Sequence, residues 1–144
     1  MPDNADNLAL VAQFMKAMDQ PVCQDFDDMA GIDLGVELIK EELAELEEAA
    51  DPLRPYWLEG KDAPEDLKWN FIKELTDVAY VTYWLAARVG VDLDASFRLV
   101  HQSNMSKLGP DGKPVKRPDG KVLKGPQYRP PDLSHIVKNT PVSL

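Results

Sequence analysis

Between Pro64 and Gly90 the chain reads EDLKWNFIKELTDVAYVTYWLAARV, and Leu67, Phe71, Leu75, Val78, Thr82, Leu85 and Val89 recur there every three or four residues. That period is helical. Pro64 suits a first-turn position, where a backbone N–H would have no helical partner anyway. Glu65 and Asp66 meet the positive end of the helix dipole, Asp62 stands just before them, and Gly90 closes the segment. An apolar stripe of this length has to be covered by other helices, so this segment organises whatever fold the chain adopts.

Three more helices are predicted. Residues from about Asn4 to Asp19 carry Leu8, Val11, Ala12, Met15 and Met18 at helical spacing and end at Gln20-Pro21. After a polar stretch, CQDFDDMAG, a second helix is expected from about Ile32 to Ala50, with Ile39, Leu43, Leu46 and Ala50 as its stripe. Asp51-Pro52 stops it, because the residue before a proline avoids the α conformation. Residues 51–63, with two prolines, Trp57 and Gly60, read as a loop. Beyond Gly90, Asp92 or Asp94 can cap a fourth helix with Leu93, Phe97, Val100 and Met105 apolar, ending near Leu108-Gly109-Pro110.

The remaining segment has a different character. Six of the chain's 12 prolines lie in residues 109–131, too many for a helix. The tetrapeptide PDGK occurs at 110–113 and again at 118–121, each copy a turn signal, and the pair reads as a small hairpin-like excursion. Val122, Leu123, Tyr128, Leu133 and Ile136 give this segment apolar groups with which to dock. The expected fold is all-α: four helices over residues 1–108, followed by a basic Pro/Gly-rich extension over residues 109–144 that packs on the domain or on a partner subunit.

The charge is divided along the same line. The 144 residues hold 25 acidic and 16 basic side chains, a net −9, but residues 1–99 carry −14 and residues 100–144 carry +5. One domain is expected at this length, and an acidic field of this size argues against a partner that is bare nucleic acid or an anionic membrane. A single cysteine, Cys23, excludes an internal disulfide and any multi-cysteine metal site. No stretch approaches the ~20 apolar residues of a membrane span and MPDNADNLAL does not read as a secretory leader, so a cytoplasmic protein is expected.

The acidic residues are patterned. The second helix reads ELIKEELAELEEA, which brings Glu41, Glu42, Glu45 and Glu48 close together. Glu42 and Glu45 lie roughly 60° apart around its axis, with Glu42 roughly 75° from the middle of the apolar stripe. The third helix repeats the spacing with Glu74 and Asp77, so each of two helices can offer a carboxylate pair at the border of their shared core. A glutamate run such as EELAELEE ordinarily makes a solvated face. An acidic pair inside FIKELTDVAYVTYWLAA is another matter, costly unless something uses it. Four carboxylates held together repel one another unless a cation joins them, and oxygen-only ligation suits Mg²⁺, Mn²⁺ or Ca²⁺ rather than zinc. Di-iron bundles pair Glu with His at i, i+3, and neither His101 nor His135 stands in such a position, so Mg²⁺ is the expected ion.

The pattern Glu42-x-x-Glu45, a gap of 28 residues, then Glu74-x-x-Asp77 resembles the E-x-x-E…E-x-x-D signature of the all-α nucleoside triphosphate pyrophosphohydrolases. That superfamily includes MazG proteins, dimeric dUTPases and phosphoribosyl-ATP pyrophosphohydrolases. The similarity extends through DVAYVTYWLAARVGVDLDASFRLVHQSNMSK to DGKVLKGPQYRPPDL and covers roughly residues 8–133, and the chain closely resembles the MazG-like branch of bacteria and phages, dUTPase-like members included. Where such proteins often carry Phe-His-x-x-Phe-Gly in the first helix, this chain has FMKAMDQ.

The resemblance implies a MazG-like helical bundle and hydrolysis of an NTP or dNTP, dUTP among them, to the monophosphate and pyrophosphate by water attack at the α-phosphorus. It implies Mg²⁺, with Mn²⁺ as a substitute, held by Glu42, Glu45, Glu74 and Asp77. Glu41, next to that set, is the candidate for orienting or deprotonating the water, with Glu45 as the alternative. Carboxylates cannot hold a triphosphate, so cationic donors must come from elsewhere. Asn104 and Lys107 match the SNMSK element, Lys121 and Lys124 match DGKVLKG, and Tyr128 can cover the substrate. Trp57, Trp69, Tyr80, Tyr83 and Trp84 offer stacking surfaces, although aromatic groups at helical spacing are more commonly core or interface. A homodimer or a dimer of dimers is expected. The alternatives are a phosphoribosyl-ATP pyrophosphohydrolase and a non-catalytic helical module that binds nucleotides or proteins.

Overall fold

Helices make up nearly all the regular structure of the computed structural model, which describes residues 6–144; among those residues the extended structure is an isolated antiparallel bridge between Lys116 and Val122. The helices are α1 (Asn7–Ala17), α2 (Met29–Ala50), α3 (Arg54–Leu58), α4 (Glu65–Val89), α5 (Leu93–Met105) and α6 (Ser134–Lys138). The four predicted helices are therefore present, as α1, α2, α4 and α5. The predicted start of the first at Asn4 lies outside the described residues. Its first described turn is capped by Asp6, which accepts from the Ala9 amide at 2.7 Å.

The chain divides into two compact units, residues up to Val91 together with Pro141–Leu144, and Asp92–Thr140. In the first, α1 and α2 both pack on α4. Leu8, Val11, Ala12 and Met15 of α1 and Trp84, Ala86, Ala87 and Val89 of α4 are buried, Met15 completely. Removing a side chain of that size from water contributes about 2–3 kcal/mol. Phe14 and Tyr80 meet edge to face at 5.8 Å, and the Trp84 indole N–H donates to Gln20 Oε1 at 3.0 Å. The chain between α1 and α2 finishes the end of α4: the amides of Cys23, Gln24 and Asp25 donate to the carbonyls of Ala87, Arg88 and Val89 at 2.8, 2.8 and 2.9 Å, groups that a helix leaves without partners.

Where α2 meets α4 the structure departs from the expected stripes. The second helix begins at Met29, three residues before the predicted Ile32, and its side facing α4 runs through Gly31, Gly35, Leu38, Glu42 and Ala49 rather than through Leu43, which is exposed. The glycines explain the shift. A Cβ on Gly35 would come within 2.6 Å of Leu85 Cδ1, and one on Gly31 would collide with the ion pair between Asp28 and Arg88. Gly31 beside Arg88 and Gly35 beside Leu85 also show that the two helices run antiparallel. On α4 the corresponding line is Leu67, Phe71, Glu74, Val78, Val81, Leu85 and Arg88, and Leu75, expected on the stripe, is half exposed. Glu42 and Glu74 therefore occupy positions within the packed lines of their helices, not beside them, a correction to the roughly 75° offset expected for Glu42.

The segment 51–63 is not a plain loop. Asp51–Leu53 forms a 3₁₀ turn and α3 follows, with Pro52 and Pro55 each in a first-turn position that tolerates a missing N–H. Pro64 stands one residue outside α4, and Gly90 caps its far end at φ 89°.

In the second unit Asp92 caps α5 by accepting from the Ala95 amide at 3.0 Å. The two PDGK copies fold alike. Asp111 and Asp119 each accept from the amide two residues on, at 3.0 and 3.1 Å, and Gly112 and Gly120 take positive φ of 74° and 88°. The short α6 lies in the basic extension, beyond the proline-dense residues 109–131.

Candidate active site

Two helices deliver the acidic cluster. Because α2 and α4 are antiparallel and their packed lines pass through Glu42 and Glu74, the two carboxylates meet where apolar side chains would otherwise interlock. Glu42, Glu45 and Glu74 each offer one carboxylate oxygen within 4.8 Å of the others. Glu74 is 9% exposed, Glu42 is half-buried and Glu45 opens to solvent. The half-buried Asp77 lies outside that three-oxygen group, although its charge acts on Glu42. Glu41 is exposed and also lies outside the group.

The electrostatics of the cluster are unbalanced. Burial, then hydrogen bonding and charge from Glu45, then the charges of Asp77 and Glu74 push the Glu42 carboxyl above its ordinary value. Glu42 Oε2 and Glu74 Oε2 are buried without a hydrogen-bond partner. The nearest compensation is Lys73, whose ammonium lies 2.8 Å from Asp77 Oδ2 and 3.3 Å from Glu74 Oε1. Asp77 first and Glu74 second raise the Lys73 pKa and keep it charged. A hard divalent cation fits this donor set: its ligands are oxygens, two of them are buried and unpartnered, and their mutual repulsion is relieved by positive charge.

The predicted substrate contacts all fall in the second unit, Asp92–Thr140. Asn104 is exposed near the end of α5 and Lys107 is half-buried just beyond it. The Lys107 carbonyl accepts from the Gly125 amide at 3.0 Å, and a Cβ at Gly125 would approach that carbonyl to 2.7 Å, so only glycine lets the chain cross there. Lys124 places its ammonium 4.7 Å from the centroid of the half-buried Tyr128 ring, and Lys121 is exposed on the second PDGK turn. The serines of SNMSK have a structural role that residue spacing does not show. Ser103 Oγ donates to the Arg129 carbonyl at 2.7 Å, and the Arg129 amide donates to Ser106 Oγ at 2.9 Å, so the pair clips the QYRPPD segment to the end of α5.

Of the aromatic candidates, Trp84 is committed to the core and Tyr80 to its contact with Phe14, whereas Trp57 and Trp69 are exposed. His101 is exposed, and His135 is hydrogen-bonded to Asn139.

These features, a helical fold with carboxylates from two antiparallel helices converging at the packing line, describe the architecture of an all-α nucleotide pyrophosphohydrolase. The family model for phosphoribosyl-ATP pyrophosphohydrolase matches residues 11–104, about two thirds of the chain. The chain belongs to this family, and through it to the all-α NTP pyrophosphohydrolase superfamily, MazG-like proteins included. It is a hydrolase acting on phosphoric anhydrides. The matched span contains all four carboxylates and Asn104, and stops short of Lys107, Lys121, Lys124 and Tyr128. No curated protein matches the chain. Among the described residues no helix is long and apolar enough to cross a membrane.

Proposed function

We propose that the chain is a Mg²⁺-dependent pyrophosphohydrolase that converts (d)NTPs, dUTP among them, to the monophosphate and pyrophosphate. The observation that carries this reading is the convergence of Glu42, Glu45 and Glu74, with two buried oxygens lacking partners, on helices that lie inside the family match. Glu42, Glu45, Glu74 and Asp77 hold the cation. Bound there, Mg²⁺ or its substitute Mn²⁺ neutralises phosphate oxygens and makes the attacking water more acidic.

The rest of the work falls to the chain's own groups. Glu45, open to solvent and next to Glu42 and Glu74, takes the proton from the water that attacks the α-phosphorus; we prefer it to Glu41, which lies outside the group. Lys107, Lys121 and Lys124 meet the phosphates, Asn104 the sugar or phosphate, and Tyr128 covers the nucleotide. The working form is a homodimer or dimer of dimers, which gives the exposed Trp57, Trp69 and Ile72 a surface to bury against.

A second reading, hydrolysis of phosphoribosyl-ATP, has the family match in its favour. A panel of dUTP, the other (d)NTPs and phosphoribosyl-ATP, assayed with Mg²⁺ for pyrophosphate and for inorganic phosphate, separates them. Pyrophosphate from (d)NTPs supports the first reading, and turnover confined to phosphoribosyl-ATP supports the second. A result of nucleotide binding with no product contradicts both.

A further inference from the structure

We propose that Lys73 is the built-in counter-ion of the carboxylate site and withholds Asp77 from it until a divalent cation displaces the ammonium. The inference rests on the reading of Glu42, Glu45, Glu74 and Asp77 as a cation site, and it explains why three of the four carboxylates converge while the fourth does not.

Lys73 bridges the last two of these groups, 2.8 Å from Asp77 Oδ2 and 3.3 Å from Glu74 Oε1. Among the described residues, the ion pairs made by these four carboxylates all come from Lys73. Asp77 is one turn beyond Lys73 on α4, at the i, i+4 spacing that brings side chains together on a helix. Held there, it stays outside the group formed by Glu42, Glu45 and Glu74.

The arrangement is suited to exchange. Half of the Lys73 side chain is exposed, so the ammonium can return to water along its flexible stem with little loss. Glu74 cannot leave so easily: it is 9% exposed, and its Oε2 has no partner in the cluster. One cation on a flexible stem thus limits repulsion around the buried Glu74. A divalent ion, which brings two charges and accepts several oxygens, outcompetes it and recruits Asp77.

The test is direct binding of Mg²⁺ by calorimetry in the absence of nucleotide, with thermal melting in parallel, on the wild-type chain and on Lys73→Met, Lys73→Arg and Lys68→Met. Lys68 lies on the same helix but pairs with Asp62, so it controls for loss of a positive charge alone. Lys73→Met is expected to tighten Mg²⁺ binding roughly fivefold, while Lys73→Arg and Lys68→Met stay within about twofold of wild type. Lys73→Met should also melt lower without metal and gain more from adding it. A merely structural lysine would lower the melting temperature without tightening the metal. Equal or weaker Mg²⁺ binding by Lys73→Met, beside a wild type that binds, overturns the proposal and leaves the cation site standing. A wild type that binds no Mg²⁺ overturns both.

Discussion

The two units of the chain are held together by different means. In the first, α1 and α4 bury Leu8, Val11, Met15 and Trp84, and the helices of the acidic cluster approach closely at Gly31 and Gly35. In the second, the buried residues of α5 are serines, Ser96 and Ser103, while Phe97 is 70% exposed and Met105 is exposed too. Beside the single buried apolar side chain described there, Ile136 of α6, hydrogen bonds and turns such as the Ser103–Arg129–Ser106 clip and the paired PDGK turns hold this unit. The comparison separates two requirements of a phosphate-handling enzyme. The carboxylates proposed to hold the cation sit in the unit with the apolar core, whereas the lysines proposed to meet phosphate sit in the unit held mainly by hydrogen bonds and turns.

Paired substitutions test that contrast. Met15→Ala empties a fully buried position and should destabilise the protein by about 3 kcal/mol, read from urea or thermal unfolding. Ser103→Ala should cost about 1 kcal/mol, and its effect should appear as faster amide exchange confined to residues around Arg129. If Ser103→Ala destabilised the whole chain as much as Met15→Ala, the distinction between the units would fall.

A smaller effect is expected at acid pH. Arg88 first, and the Gly31 amide second, hold the Asp28 carboxyl below its ordinary value of 3.8. A carboxyl lowered by folding contributes stability that is fully present above the unfolded value and is lost as the pH falls through the lower folded one. Melting temperatures measured from about pH 5 down to about pH 2 should therefore fall less steeply in Asp28→Asn than in wild type. Parallel acid limbs would mean that the Asp28–Arg88 pair does not help to hold the start of α2 against the end of α4.

Much of the fold was legible because α4 combines a regular apolar period with Gly90 at its end, and because proline density marks residues 109–131. The acidic pairs were legible for the opposite reason: Glu74 and Asp77 contradict the apolar run around them. What hydropathy could not show was the true contact line. Gly31 and Gly35 carry no apolar side chain to register in a pattern, yet their smallness lets α2 approach α4 and turns Glu42 inward. Helix α3 was hidden because Pro52 and Pro55 read as breakers when they are first-turn residues. The hold of Lys73 on Asp77 and the serine clip depend on side-chain geometry that spacing alone leaves open.

The central claim is that Glu74, buried at the α2–α4 packing line, is part of a cation site required for cleavage of a phosphoric anhydride. Mg²⁺-dependent pyrophosphate release by Glu74→Gln, measured beside its circular dichroism, tests it most directly. The expected result is activity at least roughly a hundredfold below wild type with helicity unchanged. Wild-type rates in a folded Glu74→Gln protein would contradict it.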